Sequence, residues 1–240
     1  MTRTIVIIPA YNEEASLPDV LKELHARVPE HDVVVISDGS TDRTAAVSRA
    51  AGVAVVELPY NLGIGGALRT GFQYAVRHDY EFAFQFDADG QHDPDMLEPL
   101  LDRLRDGVDM VVGSRFASGG APTYQVGRVR RLGMKILQWL VDHLTHQRFT
   151  DTSSGFRGFS RRMLEFFAQT YPVEYMDSVE ALVLACNHGF VVDEIPVNMR
   201  GRTGGAPSTR SIKLVYYYVR LVVVLLTSVR RRSHQVMEES

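Results

Sequence analysis

The sequence predicts an α/β protein with a doubly wound, mostly parallel sheet, flanking helices and an apolar, amphipathic helix near the C-terminus. The first observation behind this prediction is that short, β-branched apolar runs alternate with helical segments through short connections. Such alternation is typical of parallel strands that are covered on both faces. The second observation is that polar clusters stand directly after several of these runs. Because ligands bind at the carboxyl ends of the strands in such sheets, the clusters mark a candidate site.

The first half of the chain contains five predicted strands separated by helices. The strands are mainly apolar, as in a sheet that is buried on both sides, and they cover residues 4–9, 32–37, 53–58, 80–86 and 108–112. Predicted helices cover 12–28 and 65–77, and another begins at Asp93-Pro94, where proline fits the first turn. After the second strand, Ser40 is expected to cap a helix that carries Asp42 in its first turn.

The second half of the chain is less regular. Its pattern predicts a loop at 118–125, a helix at 126–144, a short strand at 157–159, helices around Met163 and at 179–187, and a strand at 191–197. A loop rich in glycine, proline and serine follows at 201–211. We therefore expect a main domain of residues 1–210 and a C-terminal helix with a polar tail, residues 211–240.

The composition is that of an ordinary globular protein. Of 240 residues, 45% are hydrophobic and 23% are charged, and the formal net charge of −3 provides no basic field to attract nucleic acid. Cys186 is the single cysteine, which excludes an internal disulfide and a multi-cysteine metal site. The apolar run at residues 5–9 is too short for a signal peptide, so we expect a cytoplasmic protein.

The residues at 212–229 are almost all apolar, but Lys213 and Arg220 interrupt them and three arginines follow at 230–232. A central arginine costs about 2.5–3.5 kcal/mol on membrane-insertion scales, which disfavours a spanning helix. We expect residues 211–232 to lie on the cytoplasmic membrane surface with their basic end near anionic lipid. Contact with a small membrane protein or with a second copy of the chain fits the same pattern, and an internal core helix is the alternative.

An acidic cluster, Asp87-Ala88-Asp89, comes directly after the fourth predicted strand. Mg²⁺ and similar hard cations prefer oxygen ligands and are often held by one or two carboxylates together with substrate phosphates. Gln91 adds a further carbonyl oxygen, whereas we leave out His92 because hard cations disfavour imidazole. The cluster therefore predicts a site for Mg²⁺ or Mn²⁺, and a solvated acidic turn is the alternative.

Other polar residues at this edge suit a nucleotide. The carboxylate of Asp38, at the end of the second strand, is able to accept the imide or amide protons of uracil or guanine, and Tyr11 is able to stack on a base. Asp38 fits a helix-capping turn as well, and Glu13 fits a first-turn acid placed by the helix dipole. The glycine-rich segment 61–66 opens a predicted helix and suits a phosphate, but close helix packing explains its glycines equally well.

Arginines flank the predicted loops of the same edge, namely Arg115, Arg128, Arg131, Arg200 and Arg202. Planar guanidinium groups suit phosphate oxygens. Each arginine alone is better explained as a surface charge. As a set beside a loop and an apolar helix, they fit a second substrate that carries a phosphate.

These segments resemble a known family. PAYNEE, SDGSTD, NLG, DADGQHDP and GSR occur in the order and at the spacing of family-two glycosyltransferases of the GT-A fold, at residues 9–14, 37–42, 61–63, 87–94 and 113–115. A narrower resemblance, to the dolichyl- or polyprenyl-phosphate sugar synthases, rests on residues 151–157, on Glu180, and on 194–197 leading to Arg202 and Ser208.

The resemblance implies a role for each matching residue. The nucleotide-sugar would contact Pro9, Ala10, Tyr11, Glu13, Ile36, Asp38, Gly66, Asp87, Ala88, Asp89 and Arg115. A divalent cation, Mg²⁺ or Mn²⁺, would be held by Asp87, Asp89 and Gln91. The acceptor phosphate would contact Arg115, Arg128, Arg131, Arg202 and Ser208. Catalysis would involve Asp89, Glu180 and Arg202, with Glu180 near the reacting sugar.

Three positions depart from the family pattern. Ser37 replaces the first of two acids that are usual before Gly39, so Asp38 would act alone. Ile64 stands where many relatives have lysine, and Pro207 stands where a small hydroxyl residue is common. The Gln-x-x-Arg-Trp motif of processive polysaccharide synthases is absent, which argues against polymerisation.

The resemblance implies inverting transfer of a sugar from a UDP- or GDP-sugar to a polyprenyl or dolichyl phosphate. A phosphate monoester has a second pKa of about 6, so it is already ionised near neutral pH and needs no general base. A saccharide or protein hydroxyl acceptor would need a base, for which Glu180 or Asp177 is the candidate. A nucleotidyltransferase would require a glycine-rich, arginine-containing loop after the first strand. Residues 9–13 contain neither glycine nor arginine, which argues against this class of enzyme. A non-catalytic nucleotide-sugar-binding module is the remaining alternative.

Overall fold

The structure is a computed structural model, and it describes residues 3–117, 138–173 and 177–200. The strands in this part of the chain are β1 (Thr4–Ala10), β2 (Asp32–Ser37), β3 (Ala54–Glu57), β4 (Phe82–Gln85), β5 (Met110–Ser114), β6 (Arg157–Ser160) and β7 (Val192–Pro196). They form one sheet in the order β3-β2-β1-β4-β6-β5-β7. β6 runs antiparallel to both of its neighbours, and the other pairs are parallel. The predicted doubly wound, mostly parallel sheet is therefore confirmed.

Helices cover both faces of this sheet. They are α1 (Leu17–Arg27), α2 (Thr44–Ala50), α3 (Ile64–Arg77), α4 (Leu97–Arg105), α5 (138–145), α6 (Arg161–Thr170) and α7 (Asp177–Asn187). Alternate residues of β1 point to opposite faces, so Ile5 and Ile7 pack with α3, α6 and α7, whereas Val6 and Ile8 pack with α1 and α4. This two-sided burial explains why the strands read as continuous apolar runs.

Two predicted helix starts are wrong. The first helix begins at Leu17 rather than at residue 12, because Asn12 has a left-handed φ of 56° and its side-chain oxygen accepts the N–H of Thr41 at 2.8 Å. α2 begins at Thr44, and Ser40 does not cap it. The Ser40 hydroxyl accepts the N–H of Asn12 at 3.2 Å instead. The loops after β1 and β2 thus satisfy each other's polar groups in place of two longer helices.

Further differences concern the part of the chain after β4. The helix expected at Asp93-Pro94 starts as a 3₁₀ turn, Pro94–Met96, which leads into α4. The strand predicted at 157–159 is present, but it is antiparallel. The predicted loop at 118–125, the first part of the 126–144 helix, the boundary at residue 210 and the C-terminal helix lie outside the described residues. Within the described ranges, no helix is long and apolar enough to cross a bilayer.

A cluster of buried polar side chains lies between β6 and α7. Arg157 is fully buried, and its guanidinium donates to the carbonyl oxygens of Ser154 at 2.9 Å and Thr152 at 3.3 Å. Tyr171 follows α6, and its hydroxyl donates to a carboxylate oxygen of Asp177 at 2.9 Å. Burial raises the pKa of Asp177 to about 6, although the Tyr171 hydrogen bond and the charge of Arg157 oppose the shift. A titratable carboxyl is therefore part of the interior of the fold.

The raised pKa of Asp177 makes stability depend on pH. The folded protein binds this proton more tightly than the unfolded chain, so the stability that it contributes is present below about pH 4 and is lost as the pH rises through about 6. Relative to Asp177→Asn, which keeps an acceptor for Tyr171, the wild type should lose about 2 kcal/mol of unfolding free energy between about pH 4.5 and about pH 7.5. Urea unfolding of both proteins at the two pH values measures this. A difference between them that does not change with pH would contradict it.

Candidate functional site

The polar segments that follow β1 and β2 lie side by side. Ala10 is opposite Ser37 in the parallel register, and the N–H of Asp38 continues the ladder by donating to the carbonyl of Ala10 at 2.9 Å. Ala10 and Ile36 are buried, whereas Tyr11 has 49% of its surface exposed. The Tyr11 ring is therefore accessible next to the end of β2, where the base-binding residues were predicted.

Asp38 is nearly fully buried and holds the loop that follows β3. Its Oδ1 accepts the N–H of Leu62 at 2.7 Å. Burial raises the pKa of this carboxyl, while hydrogen bonds from the N–H groups of Leu62 and Gly63 oppose the rise. The capping role considered from the sequence is thus replaced by a link between two loops, and recognition of a base by Asp38 stays a prediction.

Gly39 permits the close approach of these loops. Its φ of 64° is left-handed, and a Cβ at this position would lie 2.5 Å from the backbone nitrogen of Asn61. Neither the conformation nor the space suits a larger residue. The glycine of the SDGSTD segment is therefore required by the backbone of the neighbouring loop.

The glycines at the start of α3 are explained by packing. A Cβ on Gly65 would lie 2.1 Å from the carbonyl oxygen of Pro172, and one on Gly66 would lie 2.5 Å from the Cβ of Leu62. Both residues are buried. Close packing therefore explains why these residues are glycines. A contact between the Gly66 backbone and a nucleotide-sugar stays a prediction.

The acidic cluster forms a tight turn directly after β4. The N–H of Gln91 donates to Oδ1 of Asp89 at 3.1 Å, and Gly90 has a left-handed φ of 74°. Asp89 and Ala88 are buried, and the side chain of Asp87 is 33% exposed. The turn places both carboxylates at the carboxyl edge of the sheet, as predicted.

His92 holds the backbone of Asp87 in position. The ring is buried, stacks on Phe156 at 4.6 Å and meets the edge of Phe86 at 5.2 Å. Its Nδ1 accepts the backbone N–H of Asp87 at 3.1 Å, and burial lowers the pKa of His92 to about 4. The ring is therefore neutral with its proton on Nε2, which lies 3.6 Å from Oδ2 of Asp87. Sequence patterns raised His92 only as a possible metal ligand and did not predict this positioning role.

The turn is tied to the segment after β7. The side-chain amide of Gln91 donates to the carbonyl of Arg200 at 3.4 Å, and the N–H of Arg200 donates to the carbonyl of Gln91 at 2.9 Å. The guanidinium of Arg200 pairs with Glu23 at 2.7 Å and with Asp93 at 3.0 Å. Arg200 was expected to be one of the arginines that fit a phosphate. In the structure it instead connects the segment after β7 with α1 and with the acidic turn and the residues that follow it.

Arg115 is held in a fixed orientation at the end of β5. Its Nε and one terminal nitrogen donate to the two carboxylate oxygens of Asp151 at 2.6 and 2.7 Å, and the same nitrogen donates to the hydroxyl of Ser153 at 3.0 Å. Asp151 is buried, and its own N–H donates to Glu194 at 2.7 Å. The Asp151 carboxylate raises the pKa of Arg115, so the side chain stays charged. No local sequence pattern predicted that Asp151 would pair with Arg115.

The interior cluster lies behind Asp87. The negative charge of Asp87 contributes to the raised pKa of both Asp177 and Tyr171, which places these groups within electrostatic reach of the turn. A Cβ on Gly155 would lie 3.1 Å from Oδ2 of Asp87, so glycine leaves space for the carboxylate. Glu180 lies one helical turn after Asp177 and is partly exposed.

The structure brings many of the predicted residues to one edge of the sheet. They are Pro9, Ala10, Tyr11, Glu13, Ile36, Asp38, Asp87, Ala88, Asp89, Gln91 and Arg115. Glu13 is turned toward its own loop, because its carboxylate accepts the hydroxyl of Ser16 at 2.5 Å. Arg128, Arg131, Arg202 and Ser208 lie outside the described residues, so their predicted phosphate contacts stay predictions.

Two relatives are similar to this chain over most of its length. Polyprenol monophosphomannose synthase of Mycolicibacterium smegmatis is 31% identical over 217 residues, which cover 85% of this chain and 79% of the relative. UDP-N-acetylglucosamine–dolichyl-phosphate N-acetylglucosaminyltransferase of Methanococcus voltae is 28% identical over 215 residues, 80% of this chain and 83% of the relative.

A solved structure has the same fold. It is glucosyl-3-phosphoglycerate synthase from Mycobacterium tuberculosis in complex with Mg²⁺ and uridine diphosphate, with a TM-score of 0.72 and 21% identity over 95% of this chain and 79% of that chain. The sequence profile described as Glycosyl transferase family 2 matches residues 5–167, which is more than half of the chain. The protein is therefore a glycosyltransferase, and it belongs to glycosyl transferase family 2.

Proposed function

We propose that the protein transfers a sugar from a UDP- or GDP-sugar to a polyprenyl or dolichyl phosphate, with inversion at the anomeric carbon. The observation that carries this proposal is the Asp87–Asp89 turn, which lies at the carboxyl edge of the sheet together with Tyr11 and Asp38. The names of two relatives specify polyprenol and dolichyl-phosphate acceptors and support the choice of acceptor.

The donor set of the turn fits a hard divalent cation such as Mg²⁺ or Mn²⁺. Asp87 and Asp89 supply carboxylate oxygens, and Gln91 adds an amide oxygen. The nearby imidazole is not a ligand, because Nδ1 of His92 is engaged by the N–H of Asp87 and Nε2 carries the proton. A cation bound here would neutralise the leaving nucleoside diphosphate. The complex of the solved structure with Mg²⁺ and uridine diphosphate is consistent with this assignment.

The residues of the chain then have separate tasks. Tyr11 stacks on the base and Asp38 recognises its edge, while the buried Asp151 fixes the guanidinium of Arg115 at the rim of the site. A guanidinium that is already oriented loses less entropy when it binds a phosphate oxygen. Because a phosphate acceptor is ionised near neutral pH, no side chain has to remove a proton from it.

Glu180 and Arg202 complete the proposed catalytic set with Asp89. If the acceptor is instead a saccharide or protein hydroxyl, the partly exposed Glu180 on α7 is the candidate base. We also propose that residues 211–232 bind the cytoplasmic membrane surface, since this sequence combines apolar side chains with three terminal arginines.

The main test is a transfer assay with UDP- and GDP-sugars, Mg²⁺ or Mn²⁺, and either polyprenyl phosphate or soluble sugars. We expect transfer to polyprenyl phosphate, and a loss of about 100-fold or more in kcat for Asp89→Asn, because the leaving diphosphate is then poorly neutralised. Asp106→Asn, at an exposed carboxylate after α4, is the matched control and should retain activity. Transfer only to soluble sugars, unchanged activity of Asp89→Asn, or a product that retains the donor's anomeric configuration would overturn the proposal.

A second test addresses His92. His92→Phe keeps an aromatic ring against Phe156 but removes the acceptor of the Asp87 N–H. The activating metal concentration should rise about 10- to 100-fold, as for other groups that orient metal ligands, with a smaller change in kcat at saturating metal. Metal titrations of the transfer reaction measure this, and His25→Phe on the exposed side of α1 is the control. An unchanged metal requirement would show that His92 serves packing alone.

A further inference from the structure

A second group of possible metal ligands lies at the opposite edge of the sheet. Thr4 begins β1, and Glu30 and His31 immediately precede β2, whereas Asp38 and Asp87 follow their strands. Glu98 in the first turn of α4 lies beside them. Because parallel strands keep their two ends apart, this group is separate from the acidic turn after β4.

His31 is fixed in position by its surroundings. Its side chain is 1% exposed, and its backbone N–H donates to the carbonyl of Val28 at 3.2 Å. The ring meets the edge of Phe84 at 5.4 Å, and its Nδ1 lies 2.5 Å from the hydroxyl oxygen of Thr4. When Nδ1–H donates to Thr4, the lone pair of Nε2 is left to bind a ligand, which is the usual arrangement of metal-binding histidines.

The Nε2 atom of His31 is buried and has no hydrogen-bond partner within the part of the chain that the structure describes. Leaving such a buried polar atom unsatisfied is unfavourable, so a binding partner for it is expected. Burial also lowers the pKa of His31, although the charges of Glu30 and Glu98 oppose the shift. The imidazole is therefore neutral near pH 7, the form that binds metals.

Two carboxylates lie close to the imidazole of His31. Oε1 of Glu30 lies 3.9 Å from Nε2, and the ligand atoms of Glu30, His31 and Glu98 all lie within 4.8 Å of one another. Ligands of a tetrahedral ion at about 2.0–2.2 Å are roughly 3.4 Å apart, so a small rotation of the carboxylates brings them into range. Both side chains are a little over half exposed, so burial does not prevent this adjustment. Arg105 donates to Oε1 of Glu98 at 2.8 Å and orients that carboxylate.

We propose that Glu30, His31 and Glu98 form a second metal site, separate from the Asp87–Asp89 turn, that binds Zn²⁺ or a similar transition-metal ion in preference to Mg²⁺. One imidazole and two carboxylates, completed by water, suit Zn²⁺, whereas Mg²⁺ disfavours nitrogen ligands. The ion connects the start of β2 with α4. Because it binds the folded state, it stabilises this edge of the sheet.

The test uses the full chain carrying Asp87→Asn and Asp89→Asn, so that the acidic turn no longer binds metal. Co²⁺ serves as the spectroscopic probe and Zn²⁺ as its competitor. We expect one Co²⁺ per chain with the visible absorption of a low-coordinate ion, displacement by Zn²⁺ but not by Mg²⁺, and a higher Tm with Zn²⁺. Adding His31→Gln should weaken Co²⁺ binding by at least about 10-fold.

Glu98→Gln provides a second variant in case His31→Gln does not fold, because Glu98 is on the surface. It should weaken Co²⁺ binding and, in the otherwise wild-type chain, leave Mg²⁺-dependent transfer unchanged. Glu57→Gln, at an exposed glutamate on β3, is the matched control and should bind Co²⁺ as tightly as the parent. Absence of Co²⁺ binding in the parent, or equal affinity in the Glu98→Gln and Glu57→Gln proteins, would overturn the proposal. Either result leaves the proposed transfer reaction unaffected.

Discussion

The burial of both faces of the sheet is the constraint on which the rest of the structure depends. α3, α6 and α7 cover one face and α1 and α4 cover the other, so most side chains of the central strands are buried. Polar chemistry is therefore confined to the strand ends, where backbone groups and charged side chains reach solvent. The carboxyl edge carries the acidic turn together with Tyr11 and Asp38, and the amino edge carries His31 with Glu30 and Glu98.

Buried charges at the site are held by specific partners rather than left in the interior. Asp38 accepts the N–H of Leu62, and Asp151 accepts two hydrogen bonds from the guanidinium of Arg115. Burying an ion without such partners would cost several kcal/mol. These contacts join loops that are distant in sequence, and they hold Asp38 and Arg115 in defined orientations. Such preorganisation is useful for catalysis because dipoles are oriented before the substrate arrives.

The antiparallel strand β6 determines what lies behind the acidic turn. It is inserted between β4 and β5, which places Gly155 against Asp87 and Arg157 near Asp177. A parallel strand in the same place would enter the sheet from the opposite edge. The segment 151–157 would then approach the amino edge, far from the end of β4. Which residues lie behind Asp87 therefore depends on the direction of the short strand β6.

The sequence alone determined the order and type of most elements and the position of the Asp87–Asp89 turn. Apolar periodicity and turn residues are local properties, and the placement of an acidic turn after a buried strand follows from them. The direction of β6, the orientation of Asp87 by His92 and the pairing of Arg200 with Glu23 were decided only by the tertiary structure. A four-residue strand such as β6 has the same alternation of side chains in either direction. An ion pair between distant residues depends on strand order, which no local pattern contains.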